Sequence, residues 1–360
     1  MRFYFKPNYT ISLTIRGRIP DAMSSMSTSE RRHKIAAYTL CILSPLIAEY
    51  LLGIWSFSQL QSLVFLLPFY GVGALLIREF SRRYHLGWRG IFCLSLAFGL
   101  LEEGIITSSF FNPNYYHAGL LSFAYLDWLG TSFFWVVYAL GLHSLGSICV
   151  PILITELNIG HSLRNTPWLG KPALFFCGVV FAIAAASIHM GTQAAFPYRN
   201  THIQTLLICL LILLLLIVSI YPKTNATGTK TATPVLAPSH RTVFLTTFTF
   251  GLIFFGQHYL KITFGMTQQL VPLSMLASYC GGMLLLLKWS KAGDWGDAQQ
   301  GALAKSIIVM YSGLGLYQFS KGSTSLGFTV STADVLLQVV LIVCLLVMTS
   351  KNRQRKTLGD

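Results

Sequence analysis

Charge is scarce in this sequence, because Asp, Glu, Lys and Arg make up 11% of its 360 residues, whereas soluble domains carry about 25%. Apolar residues reach 53%. This composition excludes a water-soluble globule, whose surface needs charge, and it excludes a disordered chain or a coiled coil, which need more charge still. The composition instead indicates a polytopic membrane protein.

Paired cysteines are also lacking. All seven cysteines lie within apolar stretches and none belongs to a Cys-x-x-Cys pair, which excludes a disulfide-stapled secreted domain and a thiolate zinc site. They are therefore interpreted as small apolar residues. The sequence also contains no Gly-x-Ser-x-Gly, His-Glu-x-x-His or phosphate-loop motif, so these common signatures give no indication of function.

Ten apolar stretches are long enough to cross a bilayer, which takes about 20 mostly apolar residues in a helix. We therefore predict an all-α fold, a polytopic bundle of about ten transmembrane helices. The stretches run approximately over residues 35–54, 60–77, 91–109, 130–155, 173–190, 202–220, 242–258, 268–287, 304–320 and 333–349.

The chain carries 26 basic and 12 acidic residues, an excess that would suit a nucleic-acid partner if it formed one patch. The basic residues instead alternate between hydrophilic segments, with 23 in the segments that share a side with the N-terminus and 3 in the others. Because cytoplasmic loops retain Lys and Arg, this asymmetry predicts a cell-membrane protein with both termini cytoplasmic and no nucleic-acid partner. Arg78, Arg82 and Arg83 are expected to face anionic lipid headgroups.

Hydrophilic stretches divide the chain into parts. We expect cytoplasmic tails over residues 1–34 and 350–360, and no signal peptide in the first of them. A linker rich in Lys, Thr, Gly and Pro, residues 222–241, separates two membrane halves. These halves are residues 35–221 and 242–349.

Three glutamates, Glu49, Glu102 and Glu103, lie well inside predicted spans, and no Lys or Arg lies within a span beside them. Ionisable side chains inside a membrane are costly and mark functional sites. These carboxyls must therefore be protonated, hydrogen-bonded, hydrated, or bound to a metal ion or a protonated histidine. His143 in the fourth span and His189 at the end of the fifth are the candidate partners.

The third span places Ser95, Gly99 and Glu102 along one small and polar helix face. Neighbouring residues of an α-helix point about 100° apart. We therefore expect Glu102 and Glu103 to face different neighbours and not to meet at one point. Taken alone, His143 is more simply interpreted as a hydrogen-bonded packing residue.

The stretch Gly-Leu-Leu-Glu-Glu-Gly over residues 99–104, followed by a histidine in each of the next two spans, resembles the CAAX-protease and bacteriocin-processing family of intramembrane metalloproteases. In that family the glutamate pair is followed by an arginine, then a Phe-xxx-His helix, then a His-xxx-Asn helix. Here Thr107 stands in place of the arginine, Ala139 in place of the phenylalanine and Gln193 in place of the asparagine. The resemblance covers residues 91–193.

The resemblance implies a catalytic group made of Glu102, Glu103, His143 and His189. Either glutamate would act as general base on a water molecule, and the histidines would hold a metal or stabilise an oxyanion while a peptide bond is cleaved. A metal set of His143, His189 and Glu103 suits zinc with one open position. The expected partners are membrane lipids and a membrane-embedded peptide or small-molecule substrate.

Two other functions stay open from the sequence. One is a proton-coupled or small-solute transporter, in which unpaired carboxyls carry protons and prolines break helices near the midplane. Pro45, Pro68, Pro151 and Pro272 would supply such breaks, although the second half offers no polar helix that matches those of the first. The other is a non-catalytic membrane scaffold whose polar residues serve packing.

Overall fold

A computed structural model describes most of the chain. The described residues are 28–221, 236–263 (side chains to 257) and 267–350. The tails and the linker expected from the sequence lie mostly outside these ranges.

Ten long helices make up most of the described part of the chain, and each coincides with one of the ten apolar stretches predicted from the sequence. In chain order they are α1 (Thr28–Pro45, continued by a π-helical segment, Leu46–Tyr50), α2 (Phe57–Arg83), α3 (Gly87–Leu101, continued by a π-helical segment, Glu102–Ile106), α4 (Phe133–Asn158), α5 (Lys171–Ala195), α6 (His202–Ile220), α7 (His240–Thr263), α8 (Leu270–Trp289), α9 (Asp297–Phe319) and α10 (Thr332–Ser350). Six of them, α2, α4, α5, α6, α8 and α10, are long and apolar enough to cross a membrane. The all-α membrane bundle is confirmed, whereas ten crossings stay a prediction.

Polar side chains define where several helices begin. In the long connection between α3 and α4, two short antiparallel strands pair, β1 (Tyr125–Leu126) and β2 (Thr131–Ser132). Ser132 ends β2 and caps α4, because its hydroxyl accepts a hydrogen bond from the Trp135 backbone N–H at 3.0 Å. Thr201 and Gln204 form a reciprocal capping box at the start of α6.

Helix α4 lies at the centre of the bundle. It packs against α1, α3, α8 and α9 and is buried along most of its length. Helices α5 and α6 lie at the periphery, where large apolar side chains such as Phe175, Ile183, Leu206 and Leu213 are exposed. Such an apolar outer surface is suited to contact with lipid tails. The buried polar side chains described below lie around α4 instead.

Four π-helical segments interrupt the first four helices. They are Leu46–Tyr50, Leu67–Gly71, Glu102–Ile106 and Leu142–Cys149. Proline accounts for two of them, since Pro45 immediately precedes the first and Pro68 lies inside the second, and proline removes a backbone N–H from the helix ladder. π-helical segments of this kind are rare and often occur at functional sites.

Backbone carbonyls of the π-helical segments accept hydrogen bonds from side chains of other helices and loops. The Ser44 hydroxyl lies 2.6 Å from the Ser147 carbonyl oxygen and 3.0 Å from that of Tyr70. Further contacts of this kind join Asn200 to Gly104 at 2.7 Å, His189 to Ile106 at 2.9 Å and Tyr311 to Leu142 at 3.0 Å. These bonds satisfy backbone carbonyl groups for which the hydrocarbon of a bilayer offers no hydrogen-bond donor.

Arg78 and Arg82 are buried in ion pairs, so the expectation that they face lipid headgroups is wrong. Arg78 is fully buried, with Nη1 2.6 Å from Glu79 Oε1 and Nε 3.1 Å from Glu156 Oε1. Arg82 also pairs with Glu156. Arg83 is partly exposed and lies 3.9 Å from Glu79. The basic side chains turn inward because acidic partners on α2 and α4 offer charge-assisted hydrogen bonds there.

The same network holds the connection between α4 and α5 against the bundle. Glu79 accepts hydrogen bonds from the backbone N–H of Trp168 and Leu169 at 2.9 to 3.0 Å. The Arg78 guanidinium stacks on the Trp168 ring at 3.5 Å from its centroid. It also donates to the Arg164 carbonyl at 2.7 Å. Arg78, Glu79 and Glu156 therefore each have a partner on another element, as a buried ion pair requires.

Two glycines allow helix backbones to touch. A Cβ atom at Gly71 on α2 would overlap the backbone carbonyl of Cys41 on α1, and one at Gly315 on α9 would overlap the carbonyl oxygen of Leu51, just after α1. Close backbone approach of this kind is the usual reason for small residues between membrane helices.

Substitution of Gly315 by Ala should lower the melting temperature of the detergent-purified protein, because the added methyl group has no room beside the Leu51 carbonyl. Overpacking of this kind costs about 1–3 kcal/mol. Gly313→Ala on the same helix is the matched control, since its Cβ would meet nothing within 4 Å. Equal melting temperatures for the two variants would contradict the close contact.

Substitution of Arg78 by Met is expected to destabilise the protein by about 3–5 kcal/mol, because it leaves Glu79 and Glu156 buried with one partner fewer. Chemical or thermal unfolding in detergent measures this loss. Arg31→Met serves as control, since Arg31 is exposed near the start of α1. If Arg78→Met unfolds at no lower temperature or denaturant concentration than Arg31→Met, the buried network contributes nothing to stability.

Candidate functional site

The candidate site lies where the four π-helical segments meet. Each segment contributes at least one polar side chain to it. Glu49 comes from α1, Tyr70 from α2, Glu102 and Glu103 from the end of α3, and His143 from α4. All five side chains are buried. The site is therefore built by the four helices that depart from α-helical winding.

His143 is held between two carboxyl groups. Its Nε2 lies 2.7 Å from Glu103 Oε1, and its Nδ1 lies 3.1 Å from Glu102 Oε2. The expectation that Glu102 and Glu103 face different neighbours is therefore wrong. Both residues lie in a π-helical segment, which winds more slowly than an α-helix and brings neighbouring side chains closer in direction.

Gly99 brings α3 close to His143. A Cβ atom at Gly99 would lie 3.2 Å from the His143 Cβ and 3.2 Å from Leu140 Cδ2, which is tighter than ordinary packing. The small and polar face predicted for the third span thus faces α4. This short separation lets the glutamates, one turn further along, reach both sides of one imidazole ring.

Glu103 is fixed by hydrogen bonds on its second oxygen. The hydroxyls of Ser109 and Thr107 both donate to Oε2, the latter at 3.2 Å. The indole N–H of Trp135 donates to the Ser109 hydroxyl at 3.0 Å. With Oε1 against His143, both oxygens of Glu103 are engaged, so this carboxylate is positioned rigidly.

Glu102 is only partly satisfied. Its Oε1 accepts a hydrogen bond from the Tyr70 hydroxyl. Its Oε2 is buried and accepts no hydrogen bond from the described residues, although His143 Nδ1 is 3.1 Å away. An unpaired buried carboxyl oxygen costs free energy that a bound cation or proton would recover.

Glu49 is the third buried carboxyl of the site. It interacts with the Tyr70 hydroxyl and with the charges of His143 and Glu103. Among the described residues, neither Lys nor Arg pairs with Glu49, Glu102, Glu103 or His143. The carboxyls are therefore neutralised by the imidazole, by protons or by a bound ion, as the sequence predicted.

His189 lies apart from this group. Its Nδ1 is 2.9 Å from the carbonyl oxygen of Ile106, the last residue of the π-helical segment that carries the glutamates. It is exposed on α5. The structure thus brings together three of the four residues predicted for the site, Glu102, Glu103 and His143, and places His189 on the backbone beside them.

Glu102, Glu103 and His143 have the geometry of a metal-ligand set. Each offers one ligand atom, and the three atoms lie within 4.8 Å of one another. Ligands bound at about 2.0–2.1 Å in octahedral geometry lie about 3 Å apart, which matches the 3.1 Å between Glu102 Oε2 and His143 Nδ1. The contact of Nε2 with Glu103 reproduces the carboxylate–histidine pairing that orients metal-bound imidazoles.

A strained connection covers the site. Four non-glycine residues between α3 and α4 have φ angles in the left-handed region: Ser108, Tyr116, His117 and Ala124. Backbone strain of this kind concentrates at functional sites. Burial raises the pKa of Tyr115 well above its usual range, and the nearby Glu103 charge adds to this effect. The connection is therefore close to the carboxyl groups.

Tyr70, Ser109 and Trp135 are site residues that the sequence did not reveal. Tyr70 was recognisable as a polar aromatic residue two positions after Pro68, inside an apolar stretch. Ser109 and Trp135 carry no such signal, because their role depends on how the connection folds back over α3.

Comparison with known proteins gives a family but no activity. Residues 39–355 match the model of a family described as an uncharacterized membrane protein family. No curated protein and no solved structure matches the chain. The family description names no protease, so it gives no support to the resemblance with CAAX-type proteases.

Proposed function

This chain belongs to that uncharacterized membrane protein family, and from its site we propose that it is an intramembrane hydrolase whose Glu102 and His143 would bind a divalent metal ion, with Glu103 positioning the imidazole. The observation that carries the proposal is the buried Glu–Glu–His group with ligand atoms within 4.8 Å of one another. The Oε2 of Glu102, which is buried and accepts no hydrogen bond from the described residues, supports it further.

The contacts favour different roles for the two glutamates. Glu102 Oε2 and His143 Nδ1 lie 3.1 Å apart and are the atoms placed to share a metal ion, although Nδ1 also lies 3.3 Å from the Ser147 hydroxyl. Glu103 is instead held by His143, Ser109 and Thr107. Glu103 is therefore a positioning residue that accepts the Nε2 proton of the imidazole. This assignment differs from the metal set His143, His189 and Glu103 that the sequence suggested. Mixed imidazole and carboxylate ligands suit zinc, iron or manganese.

The chemistry would be cleavage of an acyl bond in a membrane-embedded peptide or small molecule. A metal ion held by Glu102 and His143 would supply a Lewis acid and would activate water near neutral pH. Glu49, which is not a metal ligand in this assignment, would act as general base. The water oxygen bonds to the carbonyl carbon, Glu49 takes the water proton and returns it to the leaving group, and the acyl bond breaks.

A proton-coupled transporter is the second candidate, and one observation favours it. Glu49, Tyr70, Glu102, His143 and Glu103 form a continuous chain of interacting groups. Such chains relay protons in transporters. The two functions differ in whether the site needs a metal ion or only protons.

We also propose that all ten helices cross the membrane and that both termini are cytoplasmic. The alternation of 23 and 3 basic residues between successive hydrophilic segments supports this orientation. In this orientation the candidate site lies nearer the outer surface, because α3 runs outward and carries the glutamates at its end.

Metal binding should depend on Glu102 and His143. We expect detergent-purified protein to bind one equivalent of Zn²⁺ or Mn²⁺ by titration calorimetry and elemental analysis. Glu102→Gln and His143→Gln should abolish binding, and Glu103→Gln should weaken it about 10- to 100-fold, as losses of outer-shell carboxylates do.

His189→Gln is the matched control for metal binding, because His189 contacts a backbone carbonyl outside the group. It should bind metal as the wild type does. Loss of metal in His189→Gln would restore the ligand set suggested by the sequence. Wild-type protein that stays folded and binds neither metal would contradict the metalloenzyme.

Hydrolysis can be detected without knowing the substrate. Membranes containing the wild-type chain, incubated in ¹⁸O-labelled water, should accumulate carboxylic products that carry one ¹⁸O atom from water, because hydrolysis places a water oxygen on the acyl carbon. Glu102→Gln and Glu49→Gln should remove these products. Mass spectrometry of peptides and lipids measures them.

The same membranes distinguish the hydrolase from the transporter and from the scaffold. If ¹⁸O labelling is equal in wild type and Glu102→Gln, while the variant loses proton uptake into vesicles, the transporter replaces the hydrolase. If both readouts are unchanged and only stability falls, the site serves packing, as in a scaffold.

A further inference from the structure

A large apolar cavity lies among α3, α4, α7, α8 and α9, away from the carboxyl site. Its volume is about 420 Å³, within the range of about 300–1,000 Å³ typical of small-molecule sites. Its wall is made mainly of apolar and aromatic side chains, such as Phe92, Phe250, Phe254, Met283 and Leu303.

The cavity is as long as one leaflet of a bilayer. Its lining runs from Thr247 to Phe255 on α7 and from Ser278 on α8 to Ser290, the residue that follows this helix. These stretches correspond to about 12 and 18 Å of helix. The hydrocarbon of one leaflet is about 15 Å thick. One end of the cavity is at Arg89, where α3 begins, and the other is near Leu145, on the same π-helical segment as His143.

Three hydroxyl groups in the wall are already hydrogen-bonded within the protein. Thr247 and Ser278 each donate to a carbonyl of their own helix, at 2.7 and 2.8 Å. The Tyr279 hydroxyl is hydrogen-bonded to Ser144. The inner part of the cavity therefore offers a ligand no hydrogen bond, and a hydrocarbon chain is the occupant it fits.

Arg89 is different from the rest of the wall. One of its terminal nitrogens donates to the carbonyl oxygen of Tyr221, at the end of α6. Its Nε is buried and has no hydrogen-bond partner among the described residues. A cationic group with an unused donor at the end of an apolar cavity is complementary to a phosphate on a hydrocarbon chain.

We propose that this cavity holds one acyl chain of a phospholipid whose phosphate binds Arg89. Trp88 and Trp295 also line the cavity, and tryptophan is the residue type typical of the lipid-headgroup level. The bound lipid would fill the cavity from the leaflet on the side where α3 begins. This inference is independent of the metal site and of the proposed hydrolysis.

Photocrosslinking tests the proposal in lipid nanodiscs that contain the full-length chain. The probes are phosphatidylglycerol and phosphatidylcholine with the same diazirine-bearing acyl chain, and peptide mass spectrometry maps the adducts. We expect adducts on cavity residues such as Phe250 and Met283. Arg89→Gln should lower the phosphatidylglycerol yield about tenfold, as the loss of a charged hydrogen bond does.

Cavity-filling variants test the acyl-chain site itself. Gly282→Leu should block adducts from both probes, because Gly282 lines the cavity and a Cβ there has only ordinary contacts. Gly251→Leu is a second filling variant on α7, for use if the first fails to fold. Gly313→Leu and Lys305→Gln are matched controls, since neither residue lines this cavity, and both should crosslink as the wild type does.

Three results would overturn the proposal. Adducts confined to the outward leucines of α6 would mean annular lipid only. Equal phosphatidylglycerol yields in wild type and Arg89→Gln would remove the headgroup contact. Full labelling in a folded Gly282→Leu or Gly251→Leu variant would remove the acyl-chain site. Metal binding should be unchanged in all these variants, so that failure here is distinct from failure of the proposed hydrolase.

Discussion

One imidazole ring between two carboxyl groups is the interaction on which the site depends. Two adjacent carboxyls inside a membrane helix are costly without a cation, and among the described residues neither Lys nor Arg reaches them. His143 contacts both, at 2.7 and 3.1 Å. Tyr70, Ser109 and Thr107 take up other oxygens of the pair, which leaves a single oxygen of Glu102 for a proton or a metal ion.

The π-helical segments explain how this arrangement forms. Each inserts a widened turn, which redirects the side chain that follows and exposes carbonyls to neighbouring helices. Ser44, Asn200 and His189 satisfy some of those carbonyls. The polar site and the irregular backbone are therefore parts of one structure. His189, which the sequence suggested as a ligand, contacts the backbone of the segment that carries the glutamates.

The sequence predicted the helices and part of the site, for physical reasons. The length of an apolar stretch alone locates a helix, because a helix must be long and apolar to cross a bilayer. The free-energy cost of burying ionisable groups identifies Glu102, Glu103 and His143. Whether a helix forms a π-helical segment depends on its packing against other helices. The sequence therefore could not predict that both glutamates contact one imidazole ring. Nor could it predict that Arg78 turns inward, because its partner Glu156 is distant in the chain and lies at the end of a predicted span.

The close contact at Leu51 has a consequence for biogenesis. Its carbonyl oxygen is covered by Gly315 of α9 and accepts a hydrogen bond from Gln338 of α10 at 2.8 Å. These partners are translated more than 260 residues after it. The Leu51 carbonyl therefore gains these two partners only after the last helices have been synthesised. A truncated product that lacks α9 and α10 would leave this carbonyl without either of them.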